Sequence, residues 1–310
     1  MANIIEPFHN ITITSICHLD LDAQWFRELL ARNNAAPRSS SPFDRSLQAV
    51  EDISRVYRGE IPQVADDYSF PLVLREALGT VYLIEAIKRT LPETEKALAG
   101  RWHIFRGPDI CLTRDAPQSE ERNSTWETIV GVKCAHFASD MAFTTNPDIR
   151  CLFSKIVWGI ECKILYTYDQ DNQIERIVEG GKQIEDSEVE FGIVAINATN
   201  LINHDRFFGP MPGHPGSYLN FPDPQNPMEM LRSLLDRIVK GVDGPKIVRR
   251  LTMDKEGEQR IKTRAVMFFA QTVASIRKAP TILSMVDWYN FRPLTVGEED
   301  FLSSFKHACQ

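Results

Sequence analysis

The sequence predicts an α/β protein with a mixed central sheet flanked by helices and a mostly helical N-terminal part. Three observations carry that expectation. Apolar residues recur at helical spacing through residues 1–100. From 101 to 202, short Val/Ile-rich and aromatic runs alternate with amphipathic stretches, the pattern of a sheet with helices laid on it. Residues 203–310 open on a Pro/Gly-rich loop and continue as a helix and a strand pair, expected to pack on that core.

The elements follow in order. Residues 22–33 place Trp25, Phe26, Leu29 and Leu30 on one helical face, and residues 35–43 break the pattern as a loop. Residues 44–58 resume it with Leu47, Val50, Ile53 and Val56, and residues 70–90 form a third helix expected to stop before Pro92. Two short strands are expected at 102–105 and 108–114, then a polar loop at 118–123 and a helix opening at Ser124. Residues 149–153 and 156–168 read as strands separated by very little. Residues 172–185 form a helix that Gly180-Gly181 weakens by roughly 1 kcal/mol per glycine. Residues 191–202 have the length and Val/Ile content of a buried strand. The 25 residues 203–227 hold six prolines and three glycines, which suits a lid or an arm. Residues 227–240 are an amphipathic helix, and residues 264–276 and 281–291 pair around 277–280.

The 310 residues, 43% hydrophobic and 25% charged, suffice for one large domain or two smaller ones. No apolar run approaches the ~18 to 20 residues of a membrane span, and the first twenty residues lack the pattern of a secretory signal. Cysteines at 17, 111, 134, 151, 162 and 309 show no CxxC pair, which argues against a zinc site or a disulfide framework. The expectation is a cytoplasmic protein with reduced thiols and no membrane partner. Net charge is −7, yet residues 232–278 carry twelve Lys or Arg against five Asp or Glu. A local basic strip on an acidic chain suits a polyanion, and an ordinary solvated surface fits equally well.

The chemistry concentrates in residues 146–166. An antiparallel hairpin turning at Ser154-Lys155 sets Asp148 opposite Glu161. Alternation then puts Glu161 and Lys163 on one face and Cys162 on the other. Two carboxylates and an ammonium in apolar strands are costly to bury unless paired or bound to a metal. Paired carboxylates suit Mg²⁺, with Mn²⁺ an alternative. Such a cation lowers the pKa of bound water and polarises a phosphoryl oxygen. The bland alternative is a strand with a structural Glu–Lys pair.

Pro147-Asp148 followed by Glu161-Cys162-Lys163 resembles the PD-(D/E)xK nuclease superfamily, the restriction-endonuclease-like enzymes of restriction, repair and phage defence. The resemblance covers residues 124–202, about a quarter of the chain. It implies a restriction-endonuclease-like core in which Asp148 and Glu161 bind Mg²⁺, the Cys162 backbone carbonyl adds a ligand and Lys163 is the catalytic lysine. Many members carry a carboxylate on the preceding helix, and Glu127 matches that position. Ser124 and Glu127 also fit a capping box, which explains Glu127 without chemistry. Gln183 matches a glutamine of one branch, whose tyrosine four residues later is replaced here by Ser187. Asp109, after Pro108, lies too far from Glu161 for one hairpin and reads as a turn residue.

The implied activity is metal-dependent endonucleolytic cleavage of DNA in restriction or anti-phage defence, by a dimer with one site per strand. A non-catalytic nucleic-acid-binding or assembly module with the same fold, and an RNA-directed nuclease, are the alternatives. Lys246, Arg249, Arg250, Lys262 and Arg264 are the expected backbone contacts on DNA, with a protein partner as the other occupant of that strip. Trp288, Tyr289 and Phe291 are base-stacking candidates or, more simply, core aromatics. No Walker motif, GxGxxG or histidine metal spacing occurs.

Overall fold

The computed structural model describes residues 16–61, 70–106, 120–211, 213–214, 217–252 and 261–309, the side chains of 92–94 excepted. Within them the chain forms an α/β fold around a six-stranded mixed sheet in the order β1-β2-β3-β4-β5-β6. The N-terminal part is helical: α1 (Leu19–Arg32), α2 (Pro42–Tyr57) and α3 (Phe70–Leu98). Ser41 caps α2 by accepting from the Asp44 N–H, and Pro42 at its first position suits a helix start. α3 runs past Pro92 to Leu98, further than expected. A proline costs a helix interior about 3 kcal/mol, and burial of Leu98 beyond it favours continuing.

Residues 102–106 are a 3₁₀ turn rather than a strand, because Trp102, Ile104 and Phe105 all turn inward, which strand alternation does not allow. The strand expected at 108–114, with Asp109, lies outside the described residues. Helix α4 (Glu120–Ala135) begins four residues before Ser124, so residues 120–123 are helix and no capping box forms there. The core then follows as β1 (Ser139–Phe143), β2 (Ile149–Phe153), β3 (Ile156–Ile164), α5 (Gln170–Glu185) and β4 (Phe191–Asn197). β1 was not anticipated, since its residues are mostly exposed and lack a buried face. The β2–β3 turn is Ser154-Lys155, both at positive φ, and its pairs run from Phe153↔Ile156 to Ile149↔Ile160. That is the register expected from sequence.

Asp169 caps α5, and the helix crosses over so that β4 lies parallel to β3. β4 is shorter than the expected run, because residues 199–201 turn into a 3₁₀ segment after Asn197. The Pro/Gly-rich stretch holds a four-residue helix, α6 (Asp205–Phe208), and is anchored rather than free. Phe207 and Phe208 are buried, and Phe221 bridges to Ile276. Helices α7 (Gln225–Lys240) and α8 (Gly244–Thr252) return the chain to β5 (Thr263–Ile276), parallel to β4. The antiparallel β6 (Ala279–Asn290) and α9 (Val296–Cys309) complete the fold.

Strand alternation divides the interior into two cores. Ile160, Cys162 and Ile164 join α1–α4 and α9 on one face; Val194 and Ile196 join α5, α7 and α8 on the other. The N-terminal helices share the first core with the sheet, and β5 and β6 extend that same sheet. No helix among the described residues is long and apolar enough to cross a membrane.

Candidate active site

Asp148, Glu161 and Lys163 meet where β2 ends and β3 continues. Beyond the Ile149↔Ile160 pair, β3 has no backbone partner on its β2 side, and side-chain groups take over. The Cys162 N–H donates to Asp148 Oδ2 at 2.8 Å, and the Asp148 N–H donates to Glu161 Oε2 at 3.2 Å. In a strand, a residue's N–H and C=O leave on the same side, so the Cys162 carbonyl also faces Asp148. Its thiol lies in the first core, on the opposite face from Glu161 and Lys163.

Lys163 reaches across to α5. Its Nζ donates to Glu161 Oε1 at 2.8 Å and Gln183 Oε1 at 2.9 Å, and it lies 3.3 Å from Glu179 Oε1. Gln183 therefore stands beside Lys163. Glu179 was missed in the sequence, although it lies four residues before Gln183 and so on the same helix face. Gly180 has a packing reason. A Cβ there would sit 3.0 Å from Glu161 Cγ and from Val194 Cγ1, so glycine lets α5 approach the carboxylate.

The electrostatics follow from burial. Glu161 is 1% exposed, and Asp148 is half-buried beside it. Desolvation and then the neighbouring Glu161 and Glu127 charges raise the Asp148 pKa, and desolvation raises that of Glu161 despite Lys163. For Lys163 burial acts downward, but Glu161 and Glu179 outweigh it and the pKa is raised. The lysine is thus an ammonium, suited to donating hydrogen bonds and offsetting negative charge. Two adjacent carboxylates, one of them also paired with Lys163, with a carbonyl facing the same point, form a hard oxygen donor set whose two acids share a single ammonium. That set fits a divalent cation such as Mg²⁺, which keeps several of its waters. Among the described residues, no group of three His, Cys, Asp or Glu stands in metal-holding geometry, so side chains alone do not complete a cage.

Glu127 is not a cap. It lies in the second turn of α4, accepts from Arg101 Nη1 at 2.6 Å, and adds its charge to the field at Asp148. Arg101 also stacks over Phe143 of β1 at 4.2 Å, which holds the pair in place.

No protein-family model, curated protein or solved structure matches this chain.

The basic strip does not form one open face. Arg264 is 2% exposed, pairs with the buried Glu298 at 2.7 Å and lies over the Phe191 ring, so it is internal. Lys262 donates to the Ser187 carbonyl. Lys246 pairs with Asp171 at 3.0 Å, and Arg250 pairs through both nitrogens with Glu175, which binds α8 to α5. Arg249 is exposed, and its guanidinium has no hydrogen bond or ion pair to a described residue. Charge counting along the chain misses this neutralisation, because the acidic partners lie about 75 residues away on another helix. Trp288 carries the Lys306 ammonium over its ring, and Tyr289 packs on Phe291 and Gly244, so these aromatics are engaged within the fold.

Proposed function

We propose that the chain is a Mg²⁺-dependent phosphodiesterase that cleaves DNA internally, with a restriction-endonuclease-like core. The observation that carries this reading is the convergence of Asp148, Glu161 and Lys163 at the open end of the β2–β3 hairpin. The run α4-β1-β2-β3-α5-β4 supports it, since the motif lies on adjacent strands with a helix before and after. In this reading Asp148, Glu161 and the Cys162 carbonyl hold the cation, which supplies an activated water and a polarised phosphoryl oxygen. Lys163, anchored by Glu161 and Gln183, orients the attacking water and offsets charge developing on the phosphate. Glu179 restrains the lysine, and Glu127 with Arg101 sets the field behind Asp148. A cytoplasmic role in restriction or anti-phage defence and a dimeric assembly belong to the same proposal.

Purified protein incubated with plasmid DNA, with and without Mg²⁺ or Mn²⁺, tests it, with single-stranded RNA alongside. Cleavage of DNA only with metal is expected, and Lys163→Ala or Glu161→Ala should slow it about 10²- to 10³-fold in a folded protein. Full activity in either variant excludes this site. Cleavage of RNA alone reassigns the substrate, and no cleavage of either favours the binding module.

A further inference from the structure

A second concavity lies outside the carboxyl ends of the three parallel strands. β3 leads into Tyr168, β4 leads into Ile202 and Asn203, and Phe221 bridges to Ile276, the last residue of β5. Tyr168, Ile202, Asn203 and Phe221 line a cleft of about 670 Å³, closed on its other side by α7. The volume falls within the range of small-molecule sites, and open α/β sheets bind ligands outside the carboxyl ends of their strands. Asp148, Glu161 and Lys163 do not line it.

Its chemistry is specific. Arg206 of α6 and Arg237 of α7 both face the cleft, and neither guanidinium has a hydrogen bond or ion pair with any described residue. Other cations of the chain are paired, Arg58 with Asp20 and Glu60, Lys88 with Asp22 and Arg250 with Glu175, whereas these two, like Arg249, are exposed and unpaired among the described residues. One carboxylate lines the cleft, Glu229, and its Oε1 accepts from Gln225 at 3.0 Å. The floor is apolar, with Phe207, Phe221 and Met230, and the Tyr168 ring is held at the rim by its hydroxyl bonding the Leu201 carbonyl. Asn203 and Asn226 add amides that can donate and accept.

We propose that this cleft binds a nucleotide, its phosphate on Arg206 and Arg237 and its base over the apolar floor against Tyr168. Guanidiniums are the side chains best matched to phosphate oxygens. A flat apolar surface edged by an aromatic ring takes the face of any base, and side-chain amides pair with base edges or sugar hydroxyls. The cleft uses no glycine-rich phosphate loop, which explains why no nucleotide motif occurs in the sequence. The ligand chemistry is the same whether the nucleotide is free or is one unit of a strand. The proposal does not depend on the hydrolytic reading.

Calorimetric titration of the full chain with AMP, adenosine, inorganic phosphate and a 5′-phosphorylated oligoadenylate strand tests it without any cleavage readout. AMP or the strand should bind, with adenosine at least about tenfold weaker than AMP if one charge-assisted contact pair is lost. A strand that binds more tightly than AMP marks a strand-binding cleft; AMP binding at least as tightly marks a free nucleotide. Arg206→Glu with Arg237→Glu, both exposed positions, should weaken either ligand by more than about tenfold while the far-ultraviolet circular dichroism is unchanged. Failure of AMP and the strand to bind at millimolar concentration, or affinity undiminished in that double variant, would overturn the proposal.

Discussion

Single side chains decide more of this molecule's electrostatics than its net charge does. Arg264 illustrates it. Burial pulls its pKa down despite Glu298, and replacing Glu298 would leave the arginine buried without its countercharge, whereas replacing Arg264 leaves Glu298 its second partner, Arg292. His204 is a second case with a measurable consequence. It is 6% exposed, its Nδ1 lies 2.8 Å from Thr272 Oγ1, and burial followed by the Arg75 charge depresses its pKa to about 3. The depressed value means that the folded chain binds fewer protons here than the unfolded chain. Its contribution to stability is therefore complete above the unfolded value near 6.5 and is lost as pH falls from there toward 3. One proton sets a slope of up to ~1.4 kcal/mol per pH unit. Urea unfolding across that range should show a slope in the wild type that His204→Gln reduces. An unchanged slope would mean that the imidazole protonates as freely in the folded chain as in the unfolded one.

At the scale of elements, the hairpin and its crossover helix matter most. The β2–β3 register needs only a two-residue turn at positive φ and alternating side chains, so Asp148 opposite Glu161 could be read directly from the sequence. What α5 brings could be read only in part. Gln183 was named by resemblance and Glu179, one turn before it on the same face, was missed; the approach of both to Lys163 depends on the closeness that Gly180 permits. Helix α8 gives the clearest revision. Of its three cations, Lys246 and Arg250 are tied to acids of α5, which leaves Arg249 as the one expected to meet a phosphate backbone. If the chain binds duplex DNA through α8, Arg249→Glu should flatten the salt dependence of log K by about one unit. Arg250→Glu should alter it less, because Glu175 already neutralises that guanidinium. Filter binding over a salt series checks both, and equal effects of the two variants would contradict this assignment.

Among the described residues, helices from both ends of the chain share the first core, where Phe301 of α9 stacks on Trp158 of β3 at 3.8 Å between ring centroids. A ligand that binds only the folded chain should therefore raise the stability of all of it. Mg²⁺ at about a hundred times its dissociation constant is expected to add ~2.7 kcal/mol, seen as a higher melting temperature. Asp148→Asn should abolish most of that gain, and should raise the melting temperature of the metal-free protein only above the raised Asp148 pKa of about 8, where the carboxylate would otherwise be ionised beside Glu161. A Mg²⁺ shift of equal size in Asp148→Asn would place the cation elsewhere.

The sequence by itself determined the class of fold, the helical N-terminal part and the hairpin that joins Asp148, Glu161 and Lys163. Those features rest on local rules: helical and strand periodicity, a short turn, and register counted from it. Only the tertiary structure decided that residues 102–106 turn inward, that α3 passes Pro92, and that Glu127 pairs with Arg101 instead of capping a helix. It also decided that Lys246, Arg250 and Arg264 of the basic strip are paired with carboxylates and that Arg206 and Arg237, 31 residues apart, face one cleft. In each of these cases the deciding partner is distant in sequence, and burial or pairing with it outweighs a local preference worth a few kcal/mol at most.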